Sequence, residues 1–316
     1  MNIVELKNVS FSYTHQQERA LDGVNLELAG GKLYGVVGSN AAGKSTLASL
    51  MRGLIPYFHS GDLEGEVFLW GRALEEWSPA ELSRRIGYVF QNPFTQISGV
   101  RETVFEEIAF GLENLGLTRE EIVDRVLQVA ERMDLLPLLE KDPNGLSGGQ
   151  RQKVAFAAVI AMDADFIVID EPTSQLDPES SEEVFRIIAQ LKERGKTLVL
   201  VEHKVDLLAE YADELIVIDK GRVTAAGPAR EVFASQQLVD ADVPRPEVTQ
   251  LAFALREAGV AVDPLPITCA QALEAFAFVG GGTATGSTVA GGGVVNGTAL
   301  GNNTSVDGGL KGEGGN

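Results

Sequence analysis

The sequence predicts an α/β protein with a mostly parallel sheet covered by helices, and three observations predict this fold class. From residue 1 to about residue 228, short β-branched runs alternate with segments of helical periodicity. Some of these runs are almost wholly apolar, which is typical of strands buried on both faces. They cover residues 33–37, 86–90, 166–169 and 197–201. A glycine-rich segment links the first of these runs to a predicted helix, as expected for a strand, a loop and a helix in succession.

Two further parts of the chain have a helical pattern. Between about residues 92 and 162 the strand signals stop, and we interpret this stretch as a helical subdomain inserted into a domain over residues 1–228. Its predicted helices cover residues 103–114, 119–133 and 148–162. Residues 229–278 contain three short amphipathic segments separated by prolines, which predict a small C-terminal helical extension.

The end of the chain, residues 279–316, has a different composition. From residue 280 onward, 14 of 37 residues are glycine and three are charged. Such a segment buries too little apolar surface to offset its ordering entropy, so we predict a Gly-rich flexible tail. A truncated linker to a second unit fits the composition equally well, and the sequence leaves both interpretations open.

The composition excludes some classes of function. The chain has 45 acidic and 26 basic residues, which give a net charge of −19, so we expect no nucleic acid partner. Cys269 is the one cysteine and cannot form an internal disulfide. No signal peptide pattern and no run of about 18 apolar residues are present, so we expect a soluble protein made in the cytoplasm.

An eight-residue segment after the strand at residues 33–37 has the pattern G-x-x-x-x-G-K-[ST]. It runs from Gly38 to Ser45 as Gly-Ser-Asn-Ala-Ala-Gly-Lys-Ser. Its glycines let backbone N–H groups and the positive end of the next helix face phosphate groups. We predict that Lys44 places a charge on the phosphates and that Ser45 is a magnesium ligand. A glycine-rich turn that only caps a helix is the alternative.

This segment therefore predicts a P-loop NTPase core. The residues predicted to contact the nucleotide here are Gly38, Ser39, Asn40, Ala41, Ala42, Gly43, Lys44, Ser45 and Thr46.

Two acidic residues follow the predicted strand at residues 166–169. An acid at the carboxyl end of a buried strand is the expected second half of a phosphate site. We predict that Asp170 belongs to the magnesium shell and that Glu171 polarises the attacking water. The alternative is a solvated strand end without a chemical role.

The pentapeptide Leu146-Ser147-Gly148-Gly149-Gln150 precedes the predicted helix at residues 148–162. Ser147 and Gln150 have the spacing of a capping box, so the segment could be no more than a well-capped helix start. Two successive glycines, however, leave the positive helix end open to an anion. Because the chain already has one phosphate loop, we predict that this end serves the nucleotide of a second protomer.

With this pentapeptide, the sequence resembles the nucleotide-binding ATPase subunits of ABC proteins over residues 1–228. The resemblance implies ATP and Mg²⁺ as cofactors, and contacts from Ser147 and Gly149 to the γ-phosphate held by the opposite protomer. Gly148 and Gln150 belong to the same signature. Ala41 and Ala42 depart from the family, which frequently has glycine and serine there, and we expect nucleotide binding to survive.

The resemblance also implies roles for four residues outside the two main motifs. Tyr13 lies where the family stacks an aromatic ring on adenine, although a plain strand aromatic is the alternative. Gln91 corresponds to a glutamine that senses magnesium, and His203 to a histidine that holds the γ-phosphate and the catalytic carboxylate. Asp177 ends Ser174-Gln175-Leu176-Asp177, a loop that crosses the dimer interface in the family, where alanine is common at Gln175.

Two looser similarities narrow the subfamily. Residues 91–96 and 107–114 resemble the ATPases of energy-coupling-factor importers for vitamins and for cobalt and nickel, and residues 246–251 resemble their C-terminal extension. In that family two ATPases carry an integral membrane coupling subunit and a substrate-binding membrane subunit. The resemblance therefore implies a peripheral protein on the cytoplasmic face of the cell membrane.

Other functions of the same fold remain as alternatives. A non-transport ABC ATPase acting on ribosomes or DNA would need paired ATPase units or a coiled-coil insertion, together with basic surface. A catalytically silent scaffold would be expected to lose Lys44, Glu171 or His203, and all three are present. For the transporter, we expect a groove near Phe94, Ile97 and Phe110 to receive a helix of the membrane partner.

Overall fold

The computed structural model describes residues 1–14, 16, 18–174 and 176–277. The predicted glycine-rich tail over residues 279–316 and the predicted interface residue Gln175 lie outside the described residues. The side chain of Phe94, which we expected in the groove for a membrane partner, also lies outside them.

Strands and helices alternate along the first 228 residues. The strands are Asn2–Tyr13 (β1), Leu21–Ala29 (β2), Leu33–Val37 (β3), Gly61–Leu69 (β4), Arg72–Ala73 (β5), Ile86–Val89 (β6), Phe166–Asp170 (β7), Thr197–Val201 (β8), Glu214–Asp219 (β9) and Arg222–Pro228 (β10). The helices are Lys44–Met51 (α1), Pro79–Arg85 (α2), Pro93–Gln96 (α3), Val104–Asn114 (α4), Arg119–Arg132 (α5), Gly148–Ala161 (α6), Pro178–Glu193 (α7), Val205–Tyr211 (α8), Ala229–Ala234 (α9), Gln236–Asp240 (α10), Glu247–Glu257 (α11) and Cys269–Ala277 (α12).

A six-stranded sheet forms the centre of the fold, in the order β10-β9-β3-β8-β7-β6. All neighbouring pairs are parallel except β10 and β9, which are antiparallel. The prediction of an α/β protein with a mostly parallel sheet is therefore confirmed. Since the carboxyl ends of parallel strands meet at one edge, the segments that follow β3, β6, β7 and β8 lie together.

A second, four-stranded sheet was not predicted. It is antiparallel, in the order β2-β1-β4-β5, and β1 pairs with β4 from Val4 opposite Leu69 to Tyr13 opposite Gly61. Helix α1 is buried between the two sheets, because apolar residues from both sheets share one core cluster with Leu47 and Leu50. The helix that begins at the phosphate loop is thus held on two sides.

The inserted helices begin at residues that the sequence marks as caps. Thr103, Thr118 and Ser147 cap α4, α5 and α6, and each forms a complete capping box with the residue three positions later. The apolar faces of these helices join the core cluster on the other side of the six-stranded sheet. Ile97 is 8% exposed and belongs to this cluster, so our expectation that it lines an open groove was wrong.

The segment after β10 contains four short helices, α9 to α12, where the sequence indicated three. The extra boundary lies at Ser235, whose hydroxyl accepts a hydrogen bond from the backbone of Leu238 and caps α10. Phe233 in α9 is completely buried in the main core, so the extension is anchored at its first helix. Among the described residues, no helix is long and apolar enough to cross a membrane.

Candidate nucleotide-binding and catalytic site

The phosphate loop connects β3 to α1, and its backbone requires small residues at two positions. A Cβ atom on Gly38 would lie 2.2 Å from the carbonyl oxygen of Ile218, which is closer than any side chain tolerates. Gly43 has φ +109°, a left-handed value that favours glycine. Ala41 also has a positive φ of 61°. Alanine adopts this left-handed conformation at a cost that glycine would not have, so the backbone is strained at this position.

Lys44 is the first residue of α1 and is buried, with 6% exposure. Its Nζ donates hydrogen bonds of 3.0 Å to the carbonyl oxygens of Gly38 and Ser39. Burial lowers the pKa of the Lys44 ammonium, and the nearby charges of Glu171 and Asp170 act in the opposite direction. The loop therefore positions a desolvated cation against its own backbone carbonyl groups.

A cleft of about 450 Å³ opens beside the phosphate loop. It is lined by Tyr13, Asn40, Ala41, Gly43, Lys44, Ser45, Thr46 and Glu171, together with residues 16 and 18–20. The hydroxyl groups of Tyr13 and Thr46 are hydrogen-bonded at 3.1 Å, and the Tyr13 ring packs edge-on against Phe11 and His59. These contacts hold the aromatic ring at the rim of the cleft.

Asp170 ends β7, and its two carboxyl oxygens have different surroundings. Oδ2 accepts a 3.1 Å hydrogen bond from the buried hydroxyl of Tyr88, whereas Oδ1 is buried without a hydrogen-bond partner. Burial raises the pKa of Asp170, and the hydrogen bond from Tyr88 partly offsets this rise. Arg52, which follows α1, lies over the Tyr88 ring at 4.6 Å and keeps it in place.

The oxygen donors at this point suit a hard divalent cation such as Mg²⁺. The hydroxyl of Ser45 is exposed to the cleft, and Oδ1 of Asp170 is a buried acceptor without a donor. The side-chain N–H of Gln91 donates a hydrogen bond to Glu171, so the side-chain carbonyl oxygen of Gln91 is available to the cation. Mg²⁺ in nucleotide sites commonly takes one or two protein oxygens and completes its shell with phosphate oxygens and water.

Glu171 lies between the other two predicted catalytic residues. Its Oε2 accepts a 2.6 Å hydrogen bond from Nε2 of Gln91, and its Oε1 lies 2.9 Å from Nε2 of His203. Glu171 has φ +44°, a conformation that L-residues adopt at a cost and that clusters at functional sites. Strands β6, β7 and β8 each end just before one of these three residues, which explains why they meet.

The signature residues lie elsewhere, at the start of α6. The Ser147 hydroxyl accepts from the backbone of Gln150, and the Gln150 side chain accepts from the backbone of Ser147. A Cβ atom on Gly148 would meet nothing within 4 Å, and one on Gly149 would meet only Ser180 of α7. Within the described residues, no hydrogen bond or ion pair joins this end of α6 to the phosphate loop.

Asp177 also acts locally in this structure. Its carboxyl oxygens accept from the backbone and the hydroxyl of Ser180, which caps α7. The backbone hydrogen bond from Ser180 lowers the pKa of Asp177. Asp177, Ser147, Gly148, Gly149 and Gln150 are thus the predicted site residues that the structure does not bring to the phosphate loop.

Ala42 has a different environment from the rest of the phosphate loop. It is buried in the core between the two sheets, and its backbone N–H donates to the carbonyl oxygen of Ser39. Its side chain therefore contributes to packing. Because this chain has alanine where the family frequently has serine, no side-chain hydroxyl is buried at this position.

The sequence did not indicate two features of the site. Tyr88 touches Asp170 across 82 positions of the chain, and no local pattern marks that contact. A second cleft of about 210 Å³ is lined by Gly38, Ser39, Asn40, Glu202 and His203 together with residues 242–244. The C-terminal extension therefore reaches the phosphate loop, which its amphipathic pattern alone could not indicate.

Comparisons with known proteins agree with this geometry. The family model described as ABC transporter matches residues 21–174. The energy-coupling factor transporter ATP-binding protein EcfA1 of Bacillus subtilis is 40% identical over 269 residues, which are 84% of this chain and 93% of that protein.

Two solved structures have the same fold. The first is cbiO1 from Clostridium perfringens, described as part of the ABC transporter complex cbiONQ, with a TM-score of 0.67 and 27% identity over 82% of this chain and 97% of that one. The ATP-binding cassette MJ0796, solved as a dimer bound to ADP and Pi, has a TM-score of 0.63 and 29% identity over 72% of this chain and 99% of that one. With its phosphate loop, its paired acids and its signature helix, this chain belongs to the ABC transporter family, as an ATP-binding subunit that hydrolyses ATP.

Proposed function

We propose that the sheet edge around Glu171 is the hydrolytic centre and that its residues divide the work. Lys44 and the N–H groups of the phosphate loop bind the β- and γ-phosphates, and Tyr13 stacks on the adenine. Thr46 supports this arrangement by holding the Tyr13 hydroxyl. Ser45, Asp170 and Gln91 would hold Mg²⁺, which neutralises phosphate charge and polarises the γ-phosphoryl group when bound.

This proposal rests on the contacts of Glu171. A carboxylate has about four acceptor positions, so the contacts with Gln91 and His203 fix its orientation and leave positions for a water molecule. Glu171 can then orient that water and take its proton as the water attacks phosphorus. His203, which is 45% exposed at its side chain, would donate to the γ-phosphate from the ring nitrogen that does not face Glu171.

We further propose that a second ATPase protomer, identical or related, completes the site. Ser147 to Gln150 present the positive end of α6 with no phosphate loop of their own chain beside it, and the structurally similar MJ0796 was solved as a dimer with ADP and Pi. In that arrangement Ser147 and Gly149 contact the γ-phosphate bound by the partner. Asp177 caps the helix beyond the loop that would face the partner.

Ultracentrifugation of Glu171→Gln chains tests the shared site, because this variant should bind ATP without hydrolysing it. We expect ATP to drive it into dimers. Adding Ser147→Asp should abolish the dimer, since aspartate caps a helix as well as serine does but places a negative charge against the partner's phosphates. An ATP-dependent dimer that persists with Ser147→Asp would rule out this contact.

Thr118→Asp is the matched control for that experiment. Thr118 caps α5 with the same capping box, away from the phosphate loop. The exchange should therefore leave the ATP-dependent dimer intact. If Thr118→Asp also dissolves the dimer, the effect of Ser147→Asp reflects added charge in general and not a phosphate contact.

The closeness to EcfA1 and cbiO1 supports the proposal that this subunit powers an importer of the energy-coupling-factor type. Its partners would be an integral coupling subunit and a substrate-binding subunit, and it would lie on the cytoplasmic face of the membrane. The transported compound would be a vitamin or a transition-metal ion. No observation on the described surface favours ribosomes or DNA, and the net charge of −19 opposes both.

Affinity purification of the tagged chain from membranes tests this assignment. We expect two integral membrane proteins to co-purify, and ribosomes or nucleic acid in their place would support the non-transport alternative. Val100 is 72% exposed and follows Ile97 of the predicted groove by three residues, and we propose that it contacts the membrane partner. Val100→Asp should then release the membrane partners without unfolding the chain. Val123→Asp, on the exposed side of α5, is the matched control and should retain them.

A further inference from the structure

Glu202 is a buried acidic residue next to His203 that has no part in the hydrolytic roles assigned above. It directly follows β8 and is 2% exposed. A carboxyl group in such a place requires hydrogen-bond donors, because burying it unpaired is costly. Within the described residues, no Lys, Arg or His forms an ion pair with it, so its partners are a hydroxyl and two backbone amides.

The two carboxyl oxygens of Glu202 reach two different segments. Oε2 accepts a 2.8 Å hydrogen bond from the hydroxyl of Thr173. Oε1 accepts from the backbone N–H groups of His203 at 2.9 Å and Lys204 at 3.3 Å. Thr173 follows Glu171 by two residues, so one side chain ties the turn that carries Glu171 to the turn that carries His203.

Both turns need such support. Glu171 has a positive φ, and strained residues keep their conformation only where neighbouring structure imposes it. The His203 side chain is 45% exposed, so packing alone does not fix its ring. Lys204 adds a second tie, since its Nζ donates to the carbonyl oxygen of Thr173 at 3.4 Å and to the hydroxyl of Ser181 at 2.7 Å.

We propose that Glu202 is a positioning residue for ATP hydrolysis, which holds the Glu171 and His203 segments at the spacing that their 2.9 Å contact requires. This inference rests on the proposed role of Glu171 as the residue that orients water. Its effect acts through the backbones of the two turns that it joins.

Replacing Thr173 by valine removes the hydrogen bond from Thr173 to Glu202 with little change in side-chain volume, and so tests the connection between the two turns. In the full chain, Thr173→Val should lower kcat for ATP about tenfold, the size expected for one hydrogen bond to a charged group, and leave the dissociation constant of ATP within about twofold. Thr173→Ser keeps the hydroxyl and should restore kcat. This division between kcat and ATP affinity separates positioning from a general loss of structure.

Thr197→Val is the matched control, because Thr197 is buried at the other end of β8 and its hydroxyl accepts from the backbone of Gly31 at 2.8 Å. It should keep the wild-type kcat although it also loses one buried hydrogen bond. Combining Thr173→Val with Glu202→Gln should slow hydrolysis no further than Glu202→Gln alone, because both changes break the same tie.

Three outcomes would overturn the inference. They are a wild-type kcat in Thr173→Val, an equal loss in Thr173→Val and Thr197→Val, and a failure of Thr173→Ser to restore turnover. Glu171→Gln, measured beside these variants, separates the two proposals. If it keeps turnover, the role of Glu171 fails; if it loses turnover while Thr173→Val does not, only the role of Glu202 fails.

Discussion

The phosphate-loop edge of the sheet and the beginning of α6 both present backbone N–H groups at a helix start, but their surroundings differ. At the sheet edge, Lys44 donates to the backbone of its own loop, and Asp170 and Glu171 accept hydrogen bonds from Tyr88 and Gln91, which lie in and after β6. At α6, the side chains of Ser147 and Gln150 have hydrogen bonds only to each other's backbone N–H groups among the described residues. The first region is organised by the fold itself, whereas the second is a capped helix end whose outer face is open.

Under the proposed shared site, one chain contains two halves of different sites. The phosphate-loop edge has the groups needed to bind a nucleotide and to orient water. The start of α6 has donors for an anion and no anion site of its own chain beside it. Changes at the first region should therefore act on a single chain, and changes at the second should act only through a partner.

The largest effect should come from Glu171→Gln, which sharpens the assignment of chemistry to the sheet edge. The amide keeps the side-chain shape but cannot take a proton, so steady ATP turnover should fall by about 10²–10⁴-fold while ATP binding is retained. Steady-state phosphate release and equilibrium ATP titration measure the two quantities. Near-normal hydrolysis would remove Glu171 from its assigned role.

Lys44→Ala should have the next largest effect, on binding instead of chemistry. It removes a charge that acts on the phosphates, so ATP affinity should fall by about 10–100-fold, as for the loss of a hydrogen bond to a charged group. Isothermal titration gives the affinity, and circular dichroism checks that the loop still folds. Tight ATP binding by the variant would contradict the role of the lysine.

The distinction between the two regions would fail if one chain could hydrolyse ATP alone. Because the start of α6 would serve a partner's nucleotide, the rate should rise about fourfold for each doubling of dilute protein, as expected for a reaction that requires dimers. Phosphate release across a dilution series, with light scattering to report mass, measures this dependence. Strict proportionality at concentrations where only monomer is present would end the shared-site proposal.

Ala41→Gly should have the smallest effect and acts on stability. Glycine removes the strain of φ 61° at this position but adds freedom to the unfolded chain, so the net gain should be about 0.5–1 kcal/mol. Thermal unfolding of the two proteins should show a rise in Tm of about 1–4 °C. A lower Tm would mean that the alanine side chain stabilises the loop by contacts that outweigh its strain.

Local sequence patterns indicated the parts of the site that depend on neighbouring residues. The phosphate loop, the acids after β7 and the capping box at Ser147 each lie within eight residues, so spacing alone marks them. The mostly parallel sheet followed from apolar runs such as residues 166–169. The roles of Tyr13, Gln91, Asp177 and His203 came from the family resemblance, because a single residue at the end of a strand has no pattern of its own.

Features that depend on distant pairing were missed. The antiparallel sheet pairs β1 with β4 across 48 to 65 positions, and the hydrogen bond between Tyr88 and Asp170 spans 82. Ile97 was expected at the surface but packs into the core of the inserted helices. In each case the partner is chosen by tertiary packing, which periodicity within a short window does not report.

The left-handed backbone of Glu171 has an evolutionary consequence. Glycine would adopt φ +44° without steric cost and would remove a negative charge beside Asp170. A screen for heat resistance alone, applied to a library of variants at this position, should therefore enrich glycine among chains that no longer turn over ATP. Selection for heat resistance and selection for ATP turnover would therefore favour different residues at this position.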